Sequence, residues 1–120
     1  MAEQFKNYID GKWRSAQTGK TFENRNPANR NDLIGLFPAS RQRDADDAVE
    51  AAKKAFASWR LVPAPKRGEL LYRAGELLKK HKEELARVET REMGKILKET
   101  RGDVQEGDRK STRLNSSHER

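Results

Sequence analysis

The chain has 120 residues, 26 Lys and Arg against 19 Asp and Glu for a formal charge of +7, and no cysteine. That length holds one small domain or part of a larger one and excludes a complete two-domain enzyme; the lack of cysteine excludes a disulfide framework, a Cys-based zinc site and a thiol nucleophile. With Gly counted in place of Tyr, apolar residues reach about 38% of the chain, below the roughly 45–50% of a soluble domain, so the core is thin.

Tyr8-Ile9-Asp10-Gly11-Lys12-Trp13 sets an Asp-Gly pair between apolar and aromatic residues. That pair tolerates the positive φ angles of a type I′ turn, so a tight hairpin is expected. A further strand through Thr18 to Arg25 stops at Asn26-Pro27, where proline removes a donor and pushes its predecessor out of helical space. Leu33-Ile34-Gly35-Leu36-Phe37 is short, apolar and closed by Pro38, which suits another strand, and all β structure is expected before residue 40.

From Asp44 the period changes. Ala45, Val49, Ala52, Phe56 and Trp59 recur at steps of three and four on one helical stripe, with Ser40 or Asp44 as its cap. Leu61 to Pro65 interrupts it, and Leu70, Leu71, Ala74, Leu77 and Leu78 mark a second amphipathic stripe. A third helical pattern through Leu85, Val88 and Met93 stops near Gly94, a plausible C-terminal cap, and is followed by Ile96, Leu97, Thr100 and Val104.

No apolar run approaches a membrane span, and the first six residues lack the apolar core of a secretory signal, so no membrane association and a cytoplasmic location are expected. Basic residues interleave with acidic ones, as in Lys79-Lys80-His81-Lys82-Glu83-Glu84, the pattern of a solvated helix face rather than of a nucleic-acid footprint. His81 and His118 have no second ligand at metal spacing. Adjacent acids such as Asp46-Asp47 and Glu83-Glu84 diverge by about 100° on a helix and cannot flank one substrate.

Several of these pieces, taken in order, carry a resemblance. Tyr-Ile-Asp-Gly-Lys-Trp, Asn26-Pro27-Ala28, Ile34-Gly35, the Ala48 to Phe56 segment with Trp59, Pro65-Lys66-Arg67-Gly68 with Leu70-Leu71, Glu89 to Lys95, and Arg101 to Glu106 resemble the N-terminus of an aldehyde dehydrogenase, over about residues 4 to 107. The resemblance implies an α/β fold: N-terminal β-hairpins followed by amphipathic helices, the opening segment of a Rossmann-like coenzyme-binding domain, here incomplete. It implies a parent that oxidises an aldehyde to a carboxylic acid with NAD or NADP and assembles as a homo-oligomer.

The family's thioester chemistry needs a thiolate nucleophile, a glutamate base to activate water and donors for the oxyanion. In the family these lie beyond the residues that match. The eight glycines are scattered and form no G-x-G-x-x-G after a strand. No catalytic or coenzyme-binding residue is therefore assigned, no cofactor is expected on these 120 residues, and no activity is expected of them. One family site reaches into the segment. Many members hold a structural monovalent cation near the residue before the Gly-Lys of the Met-Gly-Lys stretch, which points to Glu92, together with the backbone carbonyls of Asn24 and Arg25 just before Asn-Pro. An oxygen-only shell suits a hard cation. The other reading of Glu92 is an exposed acid near a helix end.

From Asp108 the chain is polar and without apolar period. Asp108 to His118 matches the translation of a common sequencing-library adapter, eleven residues in one frame. Residues 1–107 are thus expected to be a partial aldehyde dehydrogenase N-terminal domain and 108–120 a non-native, disordered tail that carries +2 of the +7. Two readings compete from other classes: a small basic helical module that binds nucleic acid, and a truncated paralogue that joins a full-length oligomer.

Overall fold

The computed structural model describes residues 2–116, with side chains through 110. They divide into two compact units, the first ending at Leu61 and the second beginning at Val62.

The first unit holds β1 (Asn7–Ile9), β2 (Lys12–Arg14), β3 (Thr21–Arg25), β4 (Leu33–Pro38) and α1 (Gln42–Trp59). β1 and β2 form the expected hairpin, antiparallel with Tyr8 opposite Trp13. Asp10 and Gly11 both take positive φ, 54° and 72°, as a type I′ turn requires. β3 and β4 pair antiparallel with an irregular register between Asn24 and Arg25. Between them the Asn26 side chain accepts the Ala28 N–H at 2.9 Å, so Asn26-Pro27-Ala28 is a turn.

The free edge of β4 is occupied by the chain's own beginning. The Phe5 N–H donates to the Leu36 carbonyl and the Leu36 N–H to the Glu3 carbonyl, both at 2.9 Å. Gly35 allows that approach, since a Cβ there would lie 2.5 Å from the Phe5 ring and 2.9 Å from the Glu3 oxygen. Phe5 stacks on Phe37 with ring centroids 4.6 Å apart.

Of the two expected caps for α1, Asp44 serves, from the third helical position. Its Oδ2 accepts the Arg41 N–H at 2.9 Å and its Oδ1 the Gln17 N–H at 2.9 Å. Ser40 is used elsewhere: its Oγ accepts from the Asn7 amide at 2.7 Å. Two backbone donors hold the Asp44 carboxyl below the usual carboxylate range, Arg41 more than Gln17, although the residue is only 6% exposed.

The second unit is α2 (Ala64–Lys80), α3 (Lys82–Met93) and α4 (Leu97–Ser116). Pro63 and Pro65 flank the start of α2, where a missing N–H costs nothing. Gly94, at φ 77°, ends α3 in the left-handed cap, its N–H bonded to the Thr90 carbonyl at 2.9 Å. α2 and α3 both pack on α4. α4 runs past Asp108 to Ser116. Extending a formed helix through residues such as Arg and Lys costs little once the nucleus exists. Residues 117–120 lie outside the described residues.

In α1, α2 and α3 the large apolar residues that the periodicity marks are mostly open, whereas on α4 the marked Leu97, Thr100 and Val104 are covered. On α1 Asp44 is buried and Ala48 and Ala51 are partly covered, while Val49, Phe56 (61% exposed) and Trp59 stand in the open. On α2 the buried residues are Gly68 and Gly75, and Leu70, Leu71 and Leu77 (57% exposed) are open. On α3 Ala86 is fully buried and Val88 and Met93 are open; on α4 the fully buried residue is Thr100. Small and polar residues seat α1, α2 and α3, and their large apolar ones are left over. Among the described residues no helix is long and apolar enough to cross a membrane.

Candidate functional site

The densest polar constellation lies between α3 and α4. The Arg101 guanidinium grips Glu83 with two bonds, Nε to Oε2 at 2.9 Å and Nη2 to Oε1 at 2.7 Å, and Arg87 adds a third contact at 3.1 Å. Arg101 thereby holds the Glu83 carboxyl below the usual range. Lys82 donates to Gln105 at 2.8 Å, and the hydroxyls of Thr90 and Thr100 share a bond of 2.8 Å. Thr100 also donates to the Leu97 carbonyl at 3.1 Å.

Near the end of α3, Lys95 pairs with Asp103, and Asp103 hydrogen-bonds Glu89. Lys95 keeps the Asp103 carboxyl low, while burial, and then Asp103 itself, push Glu89 above the usual carboxylate range. Glu89 and Asp103 line a cavity of about 480 Å³ whose other walls include Leu78, Leu85, Val88, Met93 and Val104.

Glu92, the residue expected at a cation site, also lines this cavity. It belongs to the second unit, whereas Asn24 and Arg25 belong to β3 of the first. Among the described residues no group of three or more His, Cys, Asp or Glu could hold a metal ion. His81 does find a neighbour, Glu84 at 3.1 Å, an exposed pair one turn apart.

The β4–α1 connection, Ala39-Ser40-Arg41, contains no glycine, and the Asp44 carboxylate accepts the N–H of Arg41, the residue before α1. What the arrangement supplies is scaffold: ion pairs that fix α3 on α4, and a hairpin layer that fixes α1. Some of the basic residues that raised the nucleic-acid reading are engaged with acids, as Arg101, Arg87, Lys95, Lys53 and Arg25 show.

Sequence reasoning missed the Glu89–Asp103–Lys95 contact and the Nε of Arg67, which is buried without a hydrogen-bond partner. Spacing along α3 and α4 carried no sign of the first, because Glu89 lies on α3, Asp103 on α4 and Lys95 in the turn between them.

A model of the Aldehyde dehydrogenase family matches residues 13–113. Malonate-semialdehyde dehydrogenase 1 of Bacillus licheniformis is 46% identical over 106 residues, which is 88% of this chain and 22% of that protein. Alpha-ketoglutarate semialdehyde dehydrogenase of Haloferax volcanii is 42% identical over 105 residues, again 88% of this chain and 22% of the relative. Among solved structures, betaine aldehyde dehydrogenase of Staphylococcus aureus in complex with NAD+ superposes with a TM-score of 0.90 at 30% identity, over 96% of this chain and 23% of that one. The NAD-dependent aldehyde dehydrogenase of Sinorhizobium meliloti gives 0.90 at 26% identity, over 97% and 24%. The chain thus spans about a fifth of the length of the curated relatives it matches. These matches support the oxidoreductase reading and give the nucleic-acid module none.

Proposed function

Because this chain belongs to the aldehyde dehydrogenase family, we propose that it is the N-terminal part of the coenzyme-binding domain of an enzyme that oxidises an aldehyde to a carboxylic acid with NAD or NADP. The observation that carries the reading is a 46% identical alignment along 88% of the chain that stops at 22% of the relative. The exposed stripes of α1, α2 and α3 support it, since amphipathic helices that leave Phe56, Leu70 and Val88 uncovered belong against a larger body. In that parent, described here as a cytoplasmic homo-oligomer, the segment braces the site, and the thiolate, the base and the coenzyme loop come from residues beyond it. The 120 residues alone are inactive.

The test is a full-length chain of residues 1–107 followed by the remaining four-fifths or so of the Bacillus licheniformis relative. Under that enzyme's own assay it reduces the nicotinamide coenzyme, whereas the 120-residue chain gives no rate. A folded but inactive full-length chain would reject the reading.

Residues 108–120 are proposed as foreign to the gene, on the eleven-residue identity with translated adapter. Resequencing the source DNA across the Gly107 codon decides it: a frame that runs on into a glycine-rich segment and a later cysteine supports this, and a genuine stop after Arg120 rejects it. Glu92 is proposed as one ligand of a monovalent cation, with the carbonyls of Asn24 and Arg25. The broken ladder register at those two residues is the kind of irregularity that re-aims backbone groups. Glu92→Ala should abolish the cation dependence of the full-length chain's stability; unchanged dependence removes the assignment.

A further inference from the structure

We draw no further inference here: the strongest candidate, the cavity of about 480 Å³ among α2, α3 and α4 that joins an apolar wall of Leu78, Leu85, Val88 and Met93 to the carboxylates of Glu89 and Asp103, carries nothing because nothing in the structure shows what covers it.

Discussion

In the first unit the strands are held by bonds between backbone groups, and α1 by backbone N–H groups on one carboxylate beside the Asn7–Ser40 side-chain bond: the β1–β2 and β3–β4 ladders, the Glu3–Phe5 edge on Leu36, and Asp44 on Arg41 and Gln17. In the second they run between side chains on facing helices: Glu83 with Arg101, Lys82 with Gln105, Thr90 with Thr100. Strands cannot satisfy their own polar groups and must find a partner strand early, whereas each helix satisfies its own ladder and is free to leave a face unused. The second unit uses that freedom. An open Leu forgoes about 1.5–3 kcal/mol of burial, so its helices depend on a body outside the segment more than the strands do.

Three changes break or sharpen this contrast, each read by amide exchange in the full-length chain so that the units report separately. The largest effect is expected from Gly35→Val, which drives a side chain into Phe5 and the Glu3 carbonyl. It should cost about 3 kcal/mol in the first unit and leave α3 and α4 unchanged; equal loss of protection in both units would erase the division. Thr100→Val keeps the volume but strips the Thr90 hydroxyl of its partner. About 2 kcal/mol should be lost, and in α3 and α4 only.

The smallest effect is one of pH. Asp44 and Glu83 are held below their ordinary values, so the stability they contribute is present above the unfolded carboxylate range and disappears as pH falls through their lowered values, below about pH 4. Glu89 has the opposite sign: held high, it penalises the fold as pH rises through its ordinary value towards its raised one. The first unit should therefore weaken on acidification without a counter-trend, and Asp44→Asn should flatten that acid limb. A first-unit acid limb unaffected by Asp44→Asn would mean another group is responsible.

The features legible in the sequence are those whose cause is local. Asp10-Gly11 dictates its turn, Asn26-Pro27 ends its strand and Gly94 ends its helix through backbone angles that a few neighbours settle. The apolar stripes were equally legible as helices, but which side each helix covers was not, because burial depends on partners the segment does not contain. Hence Gly68, Gly75 and Ala86 occupy covered places that the stripes of α2 and α3 did not mark. The pairing of Glu3 and Phe5 with Leu36 spans thirty residues or so with no periodic signal, and the unmet Arg67 Nε exists only once α2 is packed. Of the candidate site, the sequence pointed to Glu92 through resemblance alone, and the α3–α4 ion pairs that surround its helix came from the structure.

The clasp that Asp44 makes with Gln17 and Arg41 has a consequence for how such a chain is made. Every residue it needs has left the ribosome once the first turn of α1 emerges. At roughly 5–20 residues per second, translation does not complete the Leu97 end of α4 until about 3–10 seconds later. The hairpin end is thus a finished object while the helices are still arriving, so a nascent dehydrogenase can fold its first sixty or so residues in sequence and postpone its dependence on distant ones.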